Sequence, residues 1–242
     1  MGQALYRGNT TVNGVSGVHY ISADLADVSV RSIESSVYAS AYPGINGTFF
    51  SGATLVGIAA KQGGVQVAPN GASNANATYD RSTLVSYNYG GANCGVSLLK
   101  RISEFPYGLS SINWAIGGIG LYLNDTFSGD TEEKRRQAYI DKCVAVEHAQ
   151  SVNSFTDSAK INRTAIGYKN STKKVVMLYL QSGSAWDCRN VLKALGCDTG
   201  ILLDSGTSSQ MKAKDSSFNV IKVNSKTNSV YSMVAVEPSS WA

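Results

Sequence analysis

Apolar and polar positions alternate over two short stretches between Val18 and Ser35, with Ile21, Ala23, Val28, Val30 and Ile33 on the apolar side. That period of two predicts extended structure. A turn-rich apolar segment follows from Ala39 to Phe50, and its glycines at 44 and 47 imply tight backbone geometry between buried strands. Residues 51 to 93 are rich in Gly, Ala, Asn and Ser, with strand-like pieces only around Leu55–Ala59 and Val65–Val67. The stretch therefore reads as flexible cover or a functional loop, a candidate lid. Val96–Ile102 and Ile112–Leu123 read as strands, the second interrupted by Gly117, Gly118 and Gly120.

Helical signals are few. Asp130 with Glu133 makes a helix start before Glu132–Val144, and Ser184 with Asp187 is a capping-box pattern opening a short helix that Gly196 stops. Arg163–Tyr168 and Val175–Leu180 predict a hairpin. Ile201–Leu203 is a buried strand, and Val220–Val223 with Val230–Val236 reads as a closing hairpin. Many strands and about two helices predict an α+β fold, a curved mixed or antiparallel sheet with a few flanking helices. The expected organisation is a single domain over residues 17–242, after an N-terminal extension of residues 1–16.

Composition narrows the function classes. The 242 residues are 43% hydrophobic and 16% charged, too apolar for disorder and sufficient for a real core. No run of 18 apolar residues occurs, so no membrane association is expected. The first 13 residues do not read as a signal peptide, which predicts a cytoplasmic protein as encoded, unless a phage or other route exports it. The net charge of +4 is spread thinly, and the basic run at 134–136 follows Glu132 and Glu133, so it reads as a solvated helix face and not a nucleic-acid patch. Four cysteines and two histidines show no zinc-ligand spacing. Cys188 and Cys197 bracket the second helix, and reduced buried thiols fit an unexported chain better than a disulfide.

Three segments carry the candidate chemistry. In Leu203-Asp204-Ser205-Gly206-Thr207-Ser208-Ser209, an acid stands directly after a buried strand, and the hydroxyl-rich loop behind it suits a phosphate; a plain turn capped by its Asp reads the same way. Arg163-Thr164-Ala165-Ile166-Gly167 puts one guanidinium at the head of an apolar strand, able to grip an anion or to serve as a surface ion pair. Asn46-Gly47-Thr48-Phe49-Phe50 places an amide and two rings beside a glycine.

These segments, in this order, resemble the phosphodiester glycosidase family of the uncovering-enzyme type. Its marks are an Asn-Gly-x-Phe-Phe strand turn, an Arg-Thr-Ala-Ile-Gly strand and a Leu-Asp-Gly-Gly-Gly-Ser loop. The resemblance spans roughly Val18 to Glu237. It departs at Ser205 and Thr207, where the family carries glycines; two added side chains narrow the loop or exchange backbone contacts for hydroxyl ones, which bears on substrate choice and turnover. The resemblance implies hydrolysis of the bond between a sugar's anomeric carbon and a phosphate in a sugar phosphodiester, nucleotide sugar or related glycan. Asp204, Arg163 and Asn46 are then the catalytic candidates. Thr164, Gly47, Ser205, Gly206, Thr207, Ser208 and Ser209 form the phosphate-binding set. No cofactor is required, although a divalent cation near Asp204 is compatible with the chemistry. A second carboxylate is expected from Glu104, Asp125, Asp80 or Glu147, and His148 is a further base candidate. Two other readings share these residues: a binding module that holds a phosphorylated sugar or nucleotide uncut, and a structural protein with a retired site.

Overall fold

A computed structural model of the chain describes residues 4–152, 155, 160–224 and 227–241. The architecture is mainly β. Three sheets and a short two-stranded ladder are accompanied by two α-helices, α1 (Glu132–Glu147) and α2 (Ala185–Ala194). Every strand pair among the described residues is antiparallel, so of the two sheet types expected from the sequence the antiparallel one is found, with few helices and a strand content that makes the fold mainly β.

The six-stranded sheet runs in the order Leu5–Val12, Val15–Asp24, Lys174–Gly183, Ile161–Lys169, Thr199–Leu202 and Ile119–Gly120. Residues of the expected N-terminal extension thus supply its edge strand. The 161–169 and 174–183 strands form the predicted hairpin, in register from Arg163↔Leu180 to Lys169↔Lys174. Both are buried along nearly their whole length because both faces of this sheet are covered, which is why they read as continuous apolar runs. One face, with Val18, Ala165, Val176, Leu178 and Leu202, packs on Tyr139, Ile140 and Cys143 of α1 and on Trp186, Cys188, Val191 and Leu192 of α2. The opposite face, with Ile21, Ile166, Met177 and Ile201, enters a core shared with the other two sheets through Leu84, Trp114, Val30, Ile45, Met211 and Val234.

The helices are set by their ends. The Ser184 hydroxyl accepts from Asp187 N at 3.1 Å while Asp187 Oδ2 accepts from Ser184 N at 2.8 Å, the capping box expected from the sequence. Gly196 stops the helix with φ +82°, a conformation that disfavours any side chain. For α1 the cap is Thr131, whose hydroxyl accepts from Lys134 N at 3.2 Å; Asp130, the expected start, pairs instead with Lys134 Nζ at 2.9 Å. Arg136 likewise pairs with Glu133, so two cations of the basic run are matched by acids of the same helix start.

Two expectations are corrected. Val220–Lys222 and Val230–Val236 do not pair with each other: the first joins Met211–Lys214, and the second lies between Val28–Ser35 and Gly44–Asn46. Nor is the 51–93 region one loop. Its Arg81–Asn88 strand is an interior strand of the five-stranded sheet, between Ala92–Leu99 and Ile112–Gly117. Arg81, Ser82, Thr83 and Ser86 are buried there, so the polar spelling concealed a core strand.

Cys188 and Cys197 are buried free thiols, as are Cys143 and the partly buried Cys94. Burial pushes the Cys188 and Cys197 thiols up to about 12, which leaves them protonated at neutral pH.

The end of α1 is tied to two sheets by one carboxylate. Glu147, fully buried, accepts from Ser82 N at 2.7 Å, Ser82 Oγ at 3.0 Å, Gly120 N at 3.0 Å and Tyr122 Oη at 2.6 Å. Burial raises its pKa in spite of those bonds. Glu147→Ala strands two buried N–H donors and is expected to remove about 2–4 kcal/mol of unfolding free energy. Urea denaturation checks this; a loss below about 0.5 kcal/mol would mean the carboxylate clamps nothing.

Candidate functional site

The three candidate segments meet at one end of the six-stranded sheet. Because Ala165 pairs with Leu202, the chain leaving the 199–202 strand passes beside Thr164, and Leu203 N donates to Thr164 O at 2.9 Å. Asp204 follows, with its N–H directed to Gly47 O at 3.3 Å. Asn46 secures the junction. Its Nδ2 donates to Asp204 O at 2.8 Å, its Oδ1 accepts from Gln210 N at 3.0 Å, and Thr164 Oγ1 lies 2.7 Å from Asp204 O and 3.1 Å from Asn46 Oδ1. Asn46 and Thr164 are buried. Gly47 packs so closely on the neighbouring strand that a Cβ would stand 2.4 Å from Ser232 Oγ and 2.9 Å from Ser232 C. Ser209 is buried too, donating to Asn162 O at 3.0 Å.

Above this layer lies a cavity of about 730 Å³. Arg163, Asp204, Ser205, Gly206, Thr207 and Ser208 line it; Asn46, Gly47, Thr164 and Ser209 are set beneath. The sequence candidates therefore separate into a group facing the cavity and a group holding Asp204 in place. Phe49, Phe50, Val56 and Val152 supply an apolar wall.

The carboxylate is the most perturbed acid in the cavity. Burial pushes Asp204 from 3.8 up to about 6, against the lowering effect of hydrogen bonds from the Ser208 hydroxyl and the Ser205 N–H, the latter at 2.9 Å from Oδ1. Arg163 is 1% exposed; its Nε donates to Gly183 O at 3.2 Å on the side of the sheet that packs against α2. The Gly206–Ser208 turn takes φ +69° at Gly206, a left-handed conformation that favours glycine.

A second guanidinium, absent from the sequence candidates, lines the same cavity. Arg81 is 3% exposed, with Nη2 donating to Ser151 Oγ at 2.7 Å and its charge 5.8 Å from the Phe49 ring centroid. Its Nε has no hydrogen-bond partner among the described residues. Like Arg163 it stands near the head of a buried strand, but the hydroxyl residues that follow it give no apolar run to mark it in the sequence.

None of the four expected second acids lines the cavity. Glu147 is committed to the clamp described above. Glu104 accepts from the N–H groups of Lys100 and Arg101, Asp125 pairs with Lys142, and Asp80 lies 3.9 Å from Lys100 Nζ. His148 caps α1 with φ +52° and stacks on Tyr79 at 4.1 Å, outside the cavity lining. No group of three metal-ligating side chains occurs among the described residues, and Asp204 is the cavity's one described acid. No helix among them is long and apolar enough to cross a membrane. Another cavity, about 530 Å³, lies by Leu25, Val28 and Trp114; its acid, Asp24, is paired with Lys174 at 2.6 Å, and its other charged lining residues are Lys61 and Lys173.

No protein-family model matches the sequence, and no curated protein matches it. Solved structures do match the fold. The chain is similar to the catalytic domain of zebrafish N-acetylglucosamine-1-phosphodiester alpha-N-acetylglucosaminidase, auto-inhibited by its pro-peptide, with a TM-score of 0.63 and 14% identity over 97% of this chain and 82% of that one. It is also similar to a hypothetical protein from Synechocystis, with a TM-score of 0.53 and 10% identity over 96% of this chain and 61% of that one. The chain thus shares its fold, at a distance, with an enzyme domain.

Proposed function

We propose that the chain is a phosphodiester glycosidase, hydrolysing the bond between the anomeric carbon of a sugar and a phosphate oxygen. The observation that carries this reading is the pairing, in one cavity, of a carboxylate raised to about 6 with buried guanidinium and hydroxyl groups suited to a phosphate. The fold shared with a phosphodiester glucosaminidase domain supports it.

The chemistry explains why one acid suffices. A phosphate monoester is a good leaving group, so the departing oxygen needs little protonation compared with an alkyl glycoside. What the site supplies is a base for water, charge opposite the cationic sugar, and donors for the departing phosphate. Asp204 accepts the proton of the attacking water and faces the anomeric carbon. Arg163 and the Ser205–Ser208 loop hold the phosphate. Asn46 and Thr164 fix the Asp204 backbone and hence the direction of its carboxylate. Ser205 and Thr207 place hydroxyls where glycines would leave bare backbone, which fits a smaller or more polar leaving group.

A binding module is the second reading. The cavity holds one carboxylate among its described residues, and the Ser205 N–H and Ser208 hydroxyl already occupy it.

Purified protein and Asp204→Asn are to be incubated with a panel of sugar-1-phosphodiesters and nucleotide sugars, with and without a divalent cation, and the products read by mass spectrometry. Free sugar plus an intact phosphate monoester is the expected product, with turnover reduced about 10²–10⁴-fold in the variant. Retention of uncut ligand would move the chain to the binding module. The pH profile gives an independent check. As a base Asp204 acts ionised, so kcat/KM is expected to be flat above its pKa and to fall tenfold per pH unit below about 6. An acid limb near 4 would mean that another group titrates.

A further inference from the structure

Arg81 is a buried guanidinium that the site described so far does not use. It opens the Arg81–Asn88 strand of the five-stranded sheet, whereas Arg163 belongs to the six-stranded sheet, so two different sheets each deliver one arginine to the Asp204 cavity. Its described hydrogen bonding consists of one N–H to Ser151 Oγ, with Nε unsatisfied, although the group carries five donors. Glu147 lies near enough to favour its charge, but the carboxylate's hydrogen bonds go to Ser82, Gly120 and Tyr122 and none to Arg81. A guanidinium desolvated to this degree with so few partners is costly unless an anion completes it.

We infer that Arg81 is the second cation of the phosphate subsite, gripping a phosphodiester together with Arg163 and taking up the charge gained by the departing phosphate. This rests on the glycosidase reading of the same cavity and adds to it the residue that matches the charge of the reaction. Among the described residues, the charged groups lining the cavity are two guanidinia and one carboxylate, so the described lining offers more cationic than anionic groups to a monoanionic phosphodiester. As the bond between the anomeric carbon and the bridging oxygen breaks, its electron pair leaves with the oxygen. The phosphate goes from one negative charge to two while the sugar becomes cationic. Water then adds to the anomeric carbon, and its proton passes to Asp204, so atoms and charge balance. At the point of greatest charge separation two cations face a dianion and one carboxylate faces a cation. A single arginine would match the diester's one charge and leave the charge that develops on the departing phosphate unmatched.

The test reads anion binding without requiring turnover. Inorganic phosphate is titrated calorimetrically at low salt into the wild-type protein, Arg81→Ala and Arg81→Lys, with circular dichroism and thermal melts confirming the fold of each. Alanine is expected to weaken phosphate about 10- to 100-fold. Lysine keeps the charge but loses the two-pronged donor geometry and is expected to weaken it about 3- to 10-fold. If the alanine variant does not fold, the lysine variant decides. Wild-type affinity in every variant that folds, or no phosphate binding by the wild type, overturns the inference. With a cleaved substrate, Arg81→Lys is expected to lower kcat more than it raises KM, a split that a purely structural role would not give. Phosphate binding that depends on Arg81, without cleavage of any diester, would leave this inference standing and remove the glycosidase reading. Cleavage indifferent to Arg81 would do the reverse.

Discussion

The site depends on the buried amide of Asn46. One short side chain donates to the Asp204 carbonyl, accepts from Gln210 N, and sits within reach of the Thr164 hydroxyl, so it joins two sheets and the loop between them at a single point. An amide has both donors and an acceptor, and no other short side chain supplies the two at this spacing without charge. A carboxylate here would confront the Asp204 carbonyl with an acceptor alone. Loss of the amide would leave buried backbone groups unpaired on both sides of the junction, a cost that falls on the direction of the Asp204 side chain as much as on stability. The neighbouring glycine belongs to the same constraint. Only a residue without Cβ lets the chain lie against Ser232 so that its carbonyl can meet Asp204 N.

Around that junction the electrostatics separate by position. Arginines enter the cavity from two sheets, and the carboxylate stands on the loop after the 199–202 strand, raised in pKa by burial. Charged groups held buried around one cavity constitute a preorganised field, since folding has already oriented and desolvated them before any ligand arrives. The hydroxyls of Ser205, Thr207 and Ser208 add dipoles that can reorient, and so tune the loop without adding net charge.

Much of this could be read from the sequence, for a physical reason. Asn46-Gly47, Arg163-Thr164 and Leu203-Asp204 each combine a chemical group with the strand end that holds it, so the local spelling carries both. The capping box at Ser184 and the stop at Gly196 were legible because helix ends are satisfied by neighbours in sequence. Arg81 was not legible because Ser82, Thr83 and Ser86 are buried by strands on either side and by Glu147, and a core of hydroxyls has no hydrophobic period. The failure at Val220 and Val230 has a different origin. Their proximity in sequence implies a hairpin, but their partners are chosen by sheets assembled elsewhere. The second acid was misplaced because Glu147 looks the same in sequence whether it faces a ligand or satisfies Ser82 and Gly120.

The pairing of Val230–Val236 with Val28–Ser35 and with Gly44–Asn46 has a consequence for how the molecule comes into being. The strand carrying Asn46 stays unpaired on one edge until a segment nearly two hundred residues later has emerged, and Asp204 and Gln210 must arrive before its amide has anything to bind. Such long-range ladders close large loops before they return any free energy, which makes folding slow and leaves early strands exposed. During synthesis the cavity cannot form piecemeal. It appears only when nearly the whole described chain is present, so a partly made molecule has all the apolar edges of this fold and none of its chemistry.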